Sequence, residues 1–180
     1  MLPNRWVVLL RGVNLGRNRR IAMADLRSLL ESLGYKDVRT HIVSGNAIVT
    51  GGRGSAASME KRIAKQLVAD LGLDVTVFVR SLAELDALIA ANPFAKKPAG
   101  TNALHALFLS EDPTPAAVKA IDPKAYAPDR FAFGKRVIYL SLTSGVAGSK
   151  LPNWEKALGV RTTMRTWNVI TKLRDLAAGT

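Results

Sequence analysis

No cysteine occurs among the 180 residues, which excludes a disulfide framework, a thiolate nucleophile and a thiolate metal site, and fits a cytoplasmic protein. Histidine is almost missing as well. His41 and His105 are the only two, both fall in predicted strands, and without clustered carboxylates they make no metal site. Long apolar runs are also lacking. Residues 6–10 and 103–109, the latter broken by His105, fall far short of the roughly 20 residues that cross a bilayer. The N-terminus has one arginine before a five-residue apolar run and no small-residue cleavage site after it, so neither a membrane span nor a signal peptide is expected. Aromatic residues make up only 6% of the chain. Residues 75–79 offer Phe78 alone and residues 6–10 Trp6 alone, too few for the paired exposed rings of an RNA-recognition sheet.

Acidic residues are scarce where basic ones gather. Against 14 Asp and Glu stand 26 Lys and Arg, a formal net charge of +12, and such an excess favours polyanionic partners unless it is merely compositional. Its distribution is uneven. Residues 1–24 carry Arg5, Arg11, Arg17, Arg19 and Arg20 with no acid, and residues 135–174 carry eight cations against Glu155 alone. These two blocks hold the whole excess and would form one basic face if the fold brought them together.

What is present in quantity is periodic apolar patterning. Residues 6–10 read as a central strand covered on both faces. Gly12, Asn14 and Gly16 follow as residues that tolerate positive φ. Met23, Leu26, Leu29, Leu30 and Leu33 then mark one helical face, closed by Gly34. Residues 38–43 and 47–50 predict strands joined by the turn Ser44-Gly45-Asn46. The glycine-rich connection 51–55 leads to a helix capped by Ser58 and ended by Gly72, and residues 75–79 predict another strand. The order strand, helix, strand, strand, helix, strand is the βαββαβ plan of a ferredoxin-like sandwich, an antiparallel sheet with helices on one face.

Ser81 is expected to cap a connecting helix that Asn92-Pro93-Phe94 closes. The Lys-, Pro- and Gly-rich residues 95–102 then open a second lobe. The expected domains are 1–92, an N-terminal ferredoxin-like subdomain plus connecting helix, and 93–180, a C-terminal one with a terminal helix. The second half predicts a strand at 103–109, a helix at 113–121 with Pro115 in its first turn, and a hairpin turning at Gly134-Lys135 with its return strand at 137–142. A long loop follows at 144–153, then a terminal helix with Trp167, Ile170, Leu173 and Ala177 on its apolar face. That repeats the first half without its last strand. The repetition is one of topology, with no residue-level self-similarity.

Several short blocks together resemble one family. Leu10-Arg11-Gly12-Val13-Asn14-Leu15-Gly16, Ile21 with Met23, Ser44-Gly45-Asn46, Asn92-Pro93-Phe94, Ser149-Lys150-Leu151, and Arg165-x-Trp167-Asn168 with Lys172-Leu173 are similar, in order and spacing, to the signature blocks of the DUF1697 family. The resemblance implies an α+β fold of two ferredoxin-like subdomains and says little about activity, since the family is named for its unknown function. Two positions depart from it: Arg17 stands where a second glycine is usual, and Thr166 where an asparagine is common.

The signature blocks overlap the basic blocks. Glycine-rich turns between strand and helix present backbone N–H groups to anions, a helix N-terminus adds partial positive charge, and arginines complete such a site with forked hydrogen bonds. Gly12 and Gly16 lack the third glycine of a dinucleotide fingerprint and the Lys-Ser/Thr of a P-loop. The competing account is that they only shape a turn while Asn14 bonds the local backbone. Ser44 sits in no nucleophile elbow, and Ser149-Lys150 is too short to claim a serine–lysine dyad. No case for acid–base catalysis emerges, so whether the protein is an enzyme stays open, and no cofactor or metal is expected.

The leading expectation is a small phosphorylated or carboxylated ligand held in a basic cleft between the N-terminal Gly/Arg loop and the C-terminal helix. Its candidate ligand-binding residues are Arg11, Gly12, Asn14, Gly16, Arg17, Arg20, Ser44, Gly45, Asn46, Lys150, Arg165, Asn168 and Lys172. Nucleic-acid binding through a basic face is one alternative and a non-catalytic protein-interaction module another. No membrane partner is expected, and a monomer is expected rather than an obligate oligomer.

Overall fold

The computed structural model describes residues 4–52, 54–96 and 103–179. The chain forms two compact units, Met1–Asp86 with Thr171–Thr180, and Ala87–Ile170. Each is built on a four-stranded antiparallel sheet, ordered β2-β3-β1-β4 in the first and β6-β7-β5-β8 in the second. This is a pair of ferredoxin-like folds. Arg53 and residues 97–102, which hold part of the two glycine-rich connections expected from the sequence, lie outside the described residues.

In the first unit the elements are β1 (Arg5–Leu10), α1 (Met23–Ser32), β2 (Lys36–Thr40), β3 (Asn46–Thr50), α2 (Ala56–Leu71) and β4 (Val77–Ser81), followed at once by α3 (Leu82–Ala90). β1 is central and apolar because both its faces are covered: Val7, Val8, Leu9 and Leu10 are fully buried. One face packs Trp6, Val8, Leu10, Val49 and Val79 against Leu26, Leu30, Met59, Ile63 and Leu67 of α1 and α2, the apolar stripes that the 3.6-residue spacing announces. The cap of α2 is Ser55, which accepts the Ser58 N–H, and not Ser58 as expected. α3 opens on a capping box: the Ser81 hydroxyl accepts the Glu84 N–H, and the Glu84 carboxylate accepts the Ser81 N–H.

β2 ends at Thr40, earlier than the alternation suggests, so His41 lies outside it. Ile42 has φ 51° and Gly45 φ 72°, and the hairpin closes with His41 N–H donating to Asn46 O. As an edge strand β2 is blunted by exposed Lys36, Asp37 and Arg39 and by a register break between Lys36 and Arg39.

The second unit runs β5 (Leu104–Leu109), α4 (Pro115–Lys119), a short 3₁₀ turn at Pro123–Tyr126, β6 (Arg130–Gly134), β7 (Val137–Ser141), α5 (Gly145–Gly148), α6 (Trp154–Leu158) and β8 (Thr162–Thr166), followed at once by α7 (Trp167–Ala178). The expected helix at 113–121 is shorter, starting after Thr114, which caps it. The expected long loop contains a one-turn helix. The larger correction is β8, a strand the sequence did not suggest: it pairs with β5 from His105↔Thr166 to Leu109↔Thr162. Met164 is its one apolar residue, too little to show as hydrophobic periodicity. The core gathers Leu107, Ile138, Leu140, Leu158 and Val160 around an aromatic cluster in which Phe131 meets Trp154 edge-on at 5.0 Å.

With β8 in place, three bonds that flank the central strands recur from one unit to the other. Leu10 N–H donates to Gly45 O, and Leu109 N–H to Arg136 O; Arg11 N–H donates to Thr76 O, and Ser110 N–H to Arg161 O; Gly51 N–H donates to Asn4 O, and Leu142 N–H to Ala103 O. Gly45 and its counterpart Arg136 both have positive φ. Arg80 and Arg165 also correspond, each buried and each donating from Nη1 to the carbonyl of the preceding residue at 2.8 Å. The repeat that is invisible residue by residue in the sequence is thus explicit in the backbone.

Candidate functional site

Of the sequence-predicted site residues, Arg11, Gly12, Asn14, Gly16, Arg17, Arg20, Ser44, Gly45, Asn46 and Lys172 belong to the first unit, and Lys150, Arg165 and Asn168 to the second. Within the first unit, the loop between β1 and α1 meets the hairpin between β2 and β3. Asn14 makes that junction. Its backbone stands at φ 57°. Its amide nitrogen donates to Ile21 O at 2.9 Å and to Val43 O at 2.7 Å, and its amide oxygen accepts the Ile21 N–H at 3.0 Å. A further bond, Asn14 N–H to Arg19 O, closes residues 14–21 into a loop. The side-chain amide, a donor and acceptor at one tip, satisfies backbone groups that would otherwise need water.

Gly45 fits against the same loop from below. A Cβ there would stand 2.5 Å from Val13 Cγ2 and 2.8 Å from Leu10 Cβ, on a backbone already at φ 72°, so only glycine fits. Gly12 likewise has positive φ, with the Arg19 guanidinium nearby. Gly16 departs from expectation: it does not have positive φ and lies in open space, and Arg19, at φ 55°, takes the left-handed position instead. Asn46 is fully buried and donates to His41 O, holding the turn that carries Ser44.

The clamped backbone leaves Arg17, Arg19 and Arg20 exposed, with Arg11 half-buried beside them. Arg20 Nε donates to Gly16 O at 3.2 Å. Asn14, Gly16, Arg20, Ile21, Ala22 and Val43 line a depression of about 430 Å³. Ala22 is also the N-cap of α1 and supplies no side-chain cap, so the uncapped first turn of α1 opens on the same depression, its partial positive charge offset in part by Asp25. A roomier cavity of about 550 Å³ in this unit is lined by Arg5, Trp6, Leu82, Ala83 and Asp86 among others. Its charges are engaged internally: Arg5 donates to Ala177 O and Asp86 pairs with Arg174 at 2.6 Å.

The C-terminal candidates are of two kinds. Lys150, Asn168 and Lys172 are exposed. Arg165 is buried, donates to Thr163 Oγ1 and Met164 O, and is pushed down to about 10 by desolvation, which still leaves it a cation at neutral pH. Other signature blocks shape the chain: Asn92 Oδ1 accepts the Phe94 N–H, and Ser149 Oγ the Leu151 N–H, both local side-chain turns. Sequence reasoning missed Leu15, Ile42 and Val43, the exposed apolar residues beside the arginines. Their hydrophobicity is visible in the sequence, but the exposure of Ile42 and Val43 depends on where β2 stops. Among the described residues no three His, Asp or Glu side chains gather as a metal site, and no helix is long and apolar enough to cross a membrane.

The sequence profile of a family described as "Protein of unknown function (DUF1697)" matches residues 4–139. Among solved structures, the chain is similar to the conserved bacterial protein SP0830 from Streptococcus pneumoniae, with a TM-score of 0.75 at 21% identity over 97% of this chain and 98% of that one. That likeness shows the fold. No curated protein matches the sequence.

Proposed function

Since the chain belongs to the DUF1697 family, proteins of unknown function, we propose from its own residues that it is a cytoplasmic protein binding a small phosphorylated or carboxylated ligand at the β1–α1 loop. The observation that supports this is the contrast within one loop: Asn14 commits its amide to three backbone groups, while Arg17, Arg19 and Arg20 of the same loop stay exposed and Arg20 lines the depression. A loop clamped through its own backbone offers cations whose side chains, but not whose backbone, must be ordered at binding, and preorganisation of that kind raises affinity. Arginine suits the role because its planar fork matches phosphate and carboxylate oxygens. Gly12, Gly45 and Asn46 serve by shaping the loop and its neighbouring turn. Ser44, Lys150, Arg165, Asn168 and Lys172 are carried as further ligand candidates on their chemistry alone.

Isothermal titration with inorganic phosphate, pyrophosphate and citrate at low salt tests the reading. A saturable site is expected in the wild type. An Arg17/Arg19/Arg20→Glu variant is expected to bind at least about tenfold more weakly, since each hydrogen bond to a charged group contributes about 1.5–3 kcal/mol. Equal titrations for the two proteins, or silence from both, overturn the proposal. Nucleic acid is the second reading, which the charge of +12 favours; the loop's exposed side chains offer cations but no aromatic ring on which a base stacks.

A further inference from the structure

The arginine loop carries an apolar feature that a purely polar anion does not use. Six large hydrophobic residues are prominently exposed among those described, and three of them, Leu15 at 81%, Val43 at 65% and Ile42 at 48%, fall on the β1–α1 loop and on the hairpin turn to which Asn14 ties it. Leu15 stands between Asn14 and Gly16, which line the depression together with Val43, and the Asn14 amide ties the loop to the carbonyl of Val43 itself. Gathered apolar side chains on a protein surface mark interaction sites more often than scattered ones do. The same loop carries the exposed cations Arg17, Arg19 and Arg20, with Arg20 in the lining of the depression and Asp25 in the first turn of α1 beyond it.

We propose that the ligand of this loop is an amphiphilic anion, a phosphate or carboxylate joined to an aliphatic body, whose charged end meets Arg17, Arg19 and Arg20 and whose hydrocarbon lies over Leu15, Ile42 and Val43. The inference rests on the anion-binding reading and names the class of ligand for it. Size and chemistry select this occupant. Three apolar residues are far fewer than the 20–30 per side of a stable protein interface, whereas a depression of about 430 Å³ is of small-molecule dimensions. Aliphatic side chains provide no face for a nucleobase. Charge complementarity fixes one end of the ligand, and Ile21, Ala22 and Val43 in the lining provide apolar wall for the other.

Titration with a series of alkyl phosphates, from methyl to octyl and below their micelle concentrations, tests this on the full-length protein. Affinity is expected to rise about threefold to fourfold per added methylene for as many carbons as the apolar wall covers. In a Leu15→Ser/Val43→Ser variant the series is expected to flatten, the affinity ratio of octyl to methyl phosphate falling toward one. Both side chains are exposed, so the melting temperature is expected to hold. A series that is flat in the wild type overturns the amphiphile and leaves the anion site standing. So does an unchanged slope in the serine variant, which would place the chain elsewhere, or equal binding of octanol, which would show that the charge is not read. If neither inorganic phosphate nor any alkyl phosphate binds, the anion-binding reading itself fails.

Discussion

Asn14 and Gly45 carry the geometry of the arginine loop, and each does so through backbone it does not neighbour in sequence. Three side-chain hydrogen bonds leave Asn14, one of them to a carbonyl 29 residues away. Its replacement by alanine is expected to cost about 1–3 kcal/mol, read as a shift in the urea midpoint. It is also expected to weaken phosphate binding although no cation is removed, because the loop that holds the arginines loosens. Gly45→Ala meets both the Leu10 and Val13 side chains and a left-handed backbone; a loss of roughly 2–4 kcal/mol in equilibrium unfolding is expected. From the sequence the two residues read as turn formers, which they are. Their partners were illegible, since the carbonyl of Val43 carries no side-chain signature.

Elements were legible where what they bury is apolar. The stripe of α1 and the run of β1 announce themselves because a core on one face or both demands apolar residues at fixed spacing. β8 escaped for the opposite reason. Thr163 and Arg165 are buried yet polar, and Met164 is its one apolar residue. The carboxylates that finish such strands are equally silent in sequence: Glu60 of α2 accepts the Val79 N–H of β4, and Glu155 of α6 accepts the Thr162 N–H of β8, each at 2.8 Å. These bonds satisfy strand groups at the margin of each sheet. The capping box at the head of α3 is half legible: Ser81 announces a cap, while the return bond from Glu84 emerges only in the fold. Ser81→Ala is expected to cost about 1 kcal/mol, measured by the same denaturation.

On the scale of the whole molecule, a charge of +12 gives any polyanion a nonspecific attraction that salt dissolves. Anisotropy with labelled random DNA and RNA is expected to show binding at low salt that disappears near physiological salt, with the Arg17/Arg19/Arg20→Glu variant weaker throughout. Binding that persists in physiological salt and depends on those arginines would favour nucleic acid over the small ligand. The matching hydrogen bonds of the two sheets also make their difference readable. Residues 11–22 separate β1 from α1, twelve in all, where only five, residues 110–114, separate β5 from α4. At this connection the second unit closes the same sheet without an arginine loop, an internal blank carried in the same chain. Seven residues of extra length on a shared frame are what the proposed ligand would use, and a sheet that closes without them in one unit leaves them free to vary in the other.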